Sequence, residues 1–343
     1  MHKDMGFWAC DGDAVDCARS MGLDGGMRGS PGRTRRRHSD IECAVLPTGI
    51  PDMRLGVLPD MRAHLCAVMS ILIGLASGAQ ADETTLRVGF REDAPPFSAQ
   101  TESGALTGGT VQAAYEGFSV DICHRIVDSY LEGHPDLKVV VFGFTAPKRE
   151  EMMEAREPTF DILCDSTSMT RARLSSCAFS FPYFVTGITY ATAKSDTGVE
   201  LKTLAEAKVG LVGGTTAVNR LNTMWQNDFG VDPQATLYED YATGLAAIEA
   251  GEVKAVFGDQ ILLQGAVMEN EEKFGVAKDI YSVELYGVCI NPARQDLLLT
   301  TNQTLGSLYA SNEIYAILGD HFGGRGASRI LTNVYRMFAL PEE

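Results

Sequence analysis

Positive charge is scarce in this 343-residue chain: 29 Lys and Arg face 45 Asp and Glu, a net charge of −16. A surface of that sign repels nucleic acid and anionic lipid, which excludes both as partners. It also makes any arginine in a cleft conspicuous, because the bulk field does not draw an anion there without local positive charge. No Cys-x-x-Cys and no paired-histidine spacing occurs, so no metal site is expected; no cofactor is expected either. The apolar run Leu65 to Leu75 falls far short of the ~20 residues that span a bilayer. From Asp82 onward there is no internal repeat and no low-complexity tract.

With 45% apolar and 22% charged residues the chain can bury a real core, and its length suits two domains or one large one. Residues 1–60 do not fit that description: they are rich in Gly, Asp and Arg and show no periodicity, so they are expected to form no fold or to reflect a mis-assigned start. Met61-Arg62-Ala63-His64 then supplies a short basic start, Leu65 to Leu75 an apolar stretch, and Ala79-Gln80-Ala81 a small-x-small cleavage site. Residues 61–81 therefore read as a secretory signal peptide, and the mature chain is expected to begin at Asp82. Nine basic and nine acidic residues precede Asp82, so the mature chain keeps the charge of −16. Its four cysteines, Cys123, Cys164, Cys177 and Cys289, would occupy an oxidising compartment and leave room for a disulfide. Cys164 and Cys177 are the nearest pair in sequence; the pairing itself stays open.

Short β-branched, apolar runs alternate with helical patterns. Leu86–Phe90, Val139–Phe142, Phe160–Leu163, Val209–Val212 and Ala255–Phe257 read as strands, which argues for an α/β fold. Ser119–Leu131 is the clearest helix, with Val120, Cys123, Ile126, Val127, Tyr130 and Leu131 on one face. Asp240–Ala250 and Ile261–Met268 are further candidates, and the chain from about Arg294 reads as two or three consecutive helices. Two series of βα units are joined by an extended stretch, Phe181–Ala193, and a second crossing near Leu285–Ile290 would return the chain to the first lobe.

Several blocks, in this order and spacing, resemble the polar-amino-acid group of extracellular solute-binding proteins. They are Arg87 to Ser98, the helix opening Gly117-Phe118-Ser119-Val120-Asp121, Phe160 to Arg173, Ala178 to Tyr183, Gly213-Gly214-Thr215-Thr216, Gly251 to Asp259, and Tyr286-Gly287. The resemblance implies two α/β lobes joined by a two-strand hinge, of the type II periplasmic binding protein kind. It places 82–187 and 286–343 in a discontinuous lobe 1 and 188–285 in lobe 2. Its closest motifs are those of glutamate/aspartate-binding periplasmic proteins, which implies a monomer that delivers an acidic amino acid to the permease of an ABC importer.

An amino-acid zwitterion carries two opposite charges, and burying them costs several kcal/mol each unless each meets a counter-charge. Arg173 offers a rigid bidentate fork for the α-carboxylate, with Ser166, Thr167 and Ser168 close by in sequence at the end of a predicted strand. Thr215 and Thr216 follow a Gly pair at a helix opening, where free backbone N–H groups receive anions. Asp259 ends a predicted strand and would meet the ammonium, unless it merely caps the next helix. The resemblance gives Arg91 and Arg149 to the ligand side chain, with Arg156 as a competitor and a solvated Lys148-Arg149-Glu150-Glu151 face as the plain alternative. Tyr241 stands where the glutamate/aspartate proteins have His, so it donates a hydrogen bond without charge. Phe97 and Tyr183 could pack on the ligand or lie in the core. Two other readings of the scaffold are a cyclohexadienyl dehydratase-like enzyme, with Glu92 and Asp93 near the cleft, and a sensor subunit without transport.

Overall fold

The computed structural model describes residues 84–101 and 114–341, which belong to one compact unit, Ser77–Glu343. The segments read as an unfolded start and as a signal peptide lie outside the described residues. The strands are β1 (Thr85–Arg91), β2 (Asp93–Ala94), β3 (Ser98–Gln100), β4 (Tyr115–Glu116), β5 (Lys138–Phe144), β6 (Ile162–Cys164), β7 (Ala178–Phe179) and β8 (Phe184–Thr186). They continue as β9 (Ile188–Ala193), β10 (Val209–Val212), β11 (Ala235–Tyr238), β12 (Ala255–Asp259), β13 (Phe274–Val276), β14 (Glu284–Tyr286) and β15 (Cys289–Ile290). The helices are α1 (Phe118–Gly133), α2 (Ala146–Glu154), α3 (Leu201–Ala205), α4 (Thr216–Phe229), α5 (Tyr241–Glu249), α6 (Gln260–Val267), α7 (Gln295–Ala310), α8 (Glu313–His321) and α9 (Arg329–Phe338).

Two five-stranded sheets result, ordered β5-β1-β6-β15-β7 and β11-β10-β12-β9-β13. In each, three parallel strands are followed by one that runs against them (β15, β9) and a last that pairs antiparallel with it (β7, β13), and the first parallel strand lies between the second and the third. Antiparallel β8 and β14, paired Phe184 to Tyr286, carry the chain from one sheet to the other and back. The predicted crossings thus form a two-stranded hinge between two α/β lobes. Strand periodicity decides what packs where: Ala255 and Phe257 enter one core with Leu221 and Trp225 of α4, while Val256 faces the core that holds Leu245 and Ile248 of α5. In the first sheet, Ile162 and Cys164 face α1, and Leu163 faces the opposite side with Met152 and Met153 of α2.

That alternation also fixes the disulfides. Cys123 of α1 bonds Cys164, and Cys177 bonds Cys289 of β15, with Cα separations of 6.1 and 5.1 Å. The pair nearest in sequence, Cys164 and Cys177, does not form, because Cys164 points toward α1 while Cys177 belongs to the core on the other face of the sheet.

Among the described residues no helix is long and apolar enough to cross a membrane.

Candidate functional site

In an open α/β sheet of this strand order, ligands meet the carboxyl ends of the parallel strands where the order switches. Four such ends carry the chemistry: β1 ends at Arg91, β6 runs into Asp165-Ser166-Thr167-Ser168, β10 into Gly213-Gly214-Thr215-Thr216, and β12 ends at Asp259.

On the first lobe, Arg149 of α2 is 2% exposed and its Nη1 donates to Asp165 Oδ2 at 2.8 Å and to Thr167 Oγ1 at 3.3 Å. Asp165 is itself fully buried and also accepts from the Thr167 hydroxyl. Arg173, in a 3-10 turn and 8% exposed, donates from Nη1 to the Ser168 carbonyl at 3.0 Å. Its Nη2 donates to the Glu150 carboxylate and, at 3.0 Å, to the Gly214 carbonyl of the second lobe. Arg149 Nη2 reaches the same Gly214 carbonyl at 2.7 Å and Glu150 Oε1 at 3.5 Å. Burial first, and the Arg149 cation second, pull the Arg173 guanidinium below its ordinary value, with Glu150 and Asp165 opposing. Arg91, 1% exposed, is gripped by Asp93 through Nε at 2.6 Å and Nη2 at 3.3 Å. Burial works against its charge, but Asp93, joined by Asp165 and Tyr241, holds it above the ordinary value.

On the second lobe, Thr215 precedes α4, and its hydroxyl donates to the Val212 carbonyl at 2.7 Å instead of capping the helix. Thr216 opens α4 and is half-buried. Asp259 precedes α6 without a side-chain capping bond; its Oδ2 accepts from the Tyr286 hydroxyl at 2.6 Å. Burial, then the Glu284 carboxylate, push Asp259 up to about 6 against the opposing pull of Arg173 and Arg149. The Tyr241 hydroxyl is buried against the Gly258–Asp259 backbone with no hydrogen-bond partner of good geometry, and burial holds it above the ordinary tyrosine value.

Three more buried polar atoms in this cluster lack a partner: Arg149 Nε, Ser166 Oγ and Asp259 Oδ1. Among the described residues, His124, Trp225, Tyr238 and Thr304 each leave one such atom at scattered places, whereas four gather here from both lobes, which suits a place built for a polar molecule. A separate cavity of about 820 Å³ lies beside the hinge, lined by Pro95, Phe184, Gln264, Phe274 and Phe322, and contains none of these residues.

Residues 86–324 match the model of bacterial extracellular solute-binding proteins, family 3. The chain belongs to that family. The L-cystine-binding protein TcyJ of Escherichia coli K12 is 24% identical over 274 residues, covering 76% of this chain and 96% of that protein. The arginine-binding periplasmic protein of Mannheimia haemolytica is 21% identical, covering 75% and 98%. A solved solute receptor for L-cysteine from Neisseria gonorrhoeae superposes with a TM-score of 0.57 at 20% identity, over 70% of this chain and 90% of that one. The fold is therefore the two-lobed, type II arrangement of periplasmic amino-acid-binding proteins, and the chain is a member of a family of bacterial extracellular solute-binding proteins.

Within that family frame, the expected residues fall unevenly. Arg149, Ser166, Thr167, Ser168, Arg173, Thr215, Thr216, Tyr241 and Asp259 gather around the interlobe contact at Gly214 and the end of β12, with Arg91 joined to them through Asp165 and Tyr241. Thr167, however, spends its hydroxyl on Asp165 and Arg149, and Thr215 on Val212, so both hold the site's shape. Arg156 is exposed, which leaves Arg149 as the buried member of that pair. Phe97 is enclosed by the rings of Phe118, Phe184, Tyr286 and Phe322, and Tyr183 donates to the Asp165 carbonyl from the core. Both pack inside the first lobe.

Sequence reasoning missed Asp165, Glu150, Tyr286 and the Gly214 carbonyl as members of the cluster, and placed Asp93 near the cleft without its pairing to Arg91. Asp165 and Asp93 sat in plain view inside the quoted blocks. Their signal was charge balance: each buried arginine needs a carboxylate.

Proposed function

We propose that the protein is the periplasmic substrate-binding component of an ABC importer, capturing an amino acid by closure of its lobes and presenting it to a membrane permease. The observation that carries this reading is the set of unpartnered buried atoms contributed by both lobes: Arg149 Nε and Ser166 Oγ on one, Asp259 Oδ1 on the other. The ligand's α-carboxylate meets Arg173 and the first turn of α4, and its ammonium meets Asp259 Oδ1. Closure is a population shift driven by contacts that exist only when both lobes touch the ligand. Relatives named for binding cystine and arginine support binding over catalysis. Export through residues 61–81 supplies the location.

Three buried arginines support an acidic ligand, glutamate or aspartate. A second reading, a neutral polar amino acid such as glutamine, is favoured by one specific observation: every one of those arginines already has an internal carboxylate, Asp93 for Arg91, Asp165 for Arg149 and Glu150 for Arg173. Calorimetric titration of the purified protein with glutamate, aspartate and glutamine tests both. Saturable binding of one of them supports the receptor reading, and the order of affinities chooses the side chain. Absence of binding to any amino acid would remove it.

A further inference from the structure

Glu150 is the one carboxylate in this cluster that is partly open to solvent while touching two buried cations. Its side chain is 28% exposed, against 2% for Arg149 and 9% for Arg173. Glu150 Oε1 accepts from Arg173 Nη2 and lies 3.5 Å from Arg149 Nη2, and the same two nitrogens share the Gly214 carbonyl. Two guanidinium groups repel when buried side by side, and an oxygen between them relieves that repulsion. Arg173 Nη2 has two N–H bonds, and these two acceptors occupy both.

We propose that Glu150 is an internal competitor for the ligand's carboxylate and thereby sets the affinity of the cleft for anionic groups. The inference rests on the reading of Arg173 as the carboxylate partner. A ligand carboxylate seats on Arg173 Nη2 only when the Glu150 carboxylate withdraws. Withdrawal is open to it because α2 anchors only its backbone and water reaches its side chain. Asp165 has no such freedom: it is fully buried and held by Arg149 and Thr167, so it is a fixed counter-ion. Glu150 is tethered, which makes its effective concentration independent of what is outside, and the apparent dissociation constant is the intrinsic one divided by the fraction of molecules in which Glu150 is withdrawn.

The test is calorimetric titration with L-glutamate and L-glutamine of the wild type, Glu150→Gln, Glu150→Asp and Glu151→Gln. The last is a control on the same helix that removes one exposed charge paired with Lys148. If Glu150 is seated in nine molecules of ten, Glu150→Gln binds about tenfold more tightly. Glu150→Asp, whose carboxylate is drawn back by one methylene, falls between, and Glu151→Gln equals the wild type. Unchanged or weaker binding by a folded Glu150→Gln or Glu150→Asp protein overturns the proposal and assigns Glu150 a structural or ligand-holding part. A wild type that binds neither probe nor any other amino acid fails the receptor reading itself, and this inference with it.

Discussion

At the scale of single residues, the cleft is a balance of buried charges. Arg173 bridges the lobes, through Ser168 on one side and Gly214 on the other, as Arg149 does through Asp165 and Gly214. Replacing it with Ala leaves a ligand carboxylate without its partner, a loss of about 2–5 kcal/mol for a buried charge pair. Calorimetry should register that loss in Arg173→Ala, with only partial recovery in Arg173→Lys, which keeps the charge and loses the fork.

Asp259 titrates near physiological pH. Its folded value is raised from 3.8 to about 6, so in the ligand-free protein it contributes stability that is fully present below about 4 and lost as pH rises through 6. The size is roughly 3 kcal/mol, at 1.36 kcal/mol per unit. Ligand binding runs the other way, because an ammonium group needs the ionised carboxylate. Affinity should therefore fall as pH drops through about 6, and Asp259→Asn should abolish both that pH step and most of the binding while raising the thermal midpoint of the free protein at pH 7. A pH-independent affinity between 5 and 8 would contradict the assignment.

At the scale of elements, the two disulfides act on different parts of the first lobe. Cys123–Cys164 locks α1 to the strand that ends in the site, closing a separation of 41 residues, and Cys177–Cys289 closes 112. Chain entropy gives about 4 and about 5 kcal/mol for loops of those lengths. Cys123→Ser with Cys164→Ser should lower both the denaturant midpoint and ligand affinity, since Asp165 follows Cys164. Cys177→Ser with Cys289→Ser should lower chiefly the midpoint.

Strands that are buried on both faces and flanked by helices were legible in the sequence, as Val209–Val212 and Ala255–Phe257 illustrate, because apolar β-branched runs of that length have few alternatives. The short pieces β2, β3, β4, β7 and β13 were not, since two or three residues carry no period. Disulfide partners were hidden for a different reason: sequence distance says nothing about which face of a sheet a cysteine takes. Within the site, Arg173 and Asp259 were legible from the chemistry of a zwitterion. Glu150 looked like one member of a solvated charge run, and only the fold turns it toward Arg149 and Arg173.

At the scale of the molecule, the lobes meet where side chains are absent. Gly214 has φ +70°, and a Cβ there would lie 2.4 Å from the Ala146 carbonyl oxygen of the first lobe; at Gly265 a Cβ would lie 2.3 Å from the carbonyl oxygen of Pro95. Close approach at both points lets the Gly214 carbonyl accept from two arginines of the other lobe. Gly214→Ala should hold the lobes apart. Its ligand affinity should fall, and small-angle scattering with saturating ligand should give a larger radius of gyration than the wild type. A variant that closes and binds normally would show that this contact is incidental.

The most direct measurement is a crystal structure of the protein with the amino acid that it binds most tightly. The expected result is a ligand between the lobes, its α-carboxylate on the Arg173 guanidinium, its ammonium on Asp259 Oδ1, and Glu150 turned away from Arg173. A ligand held elsewhere, for instance in the cavity beside the hinge, with Arg173 still bonded to Glu150 and Gly214, would contradict the account.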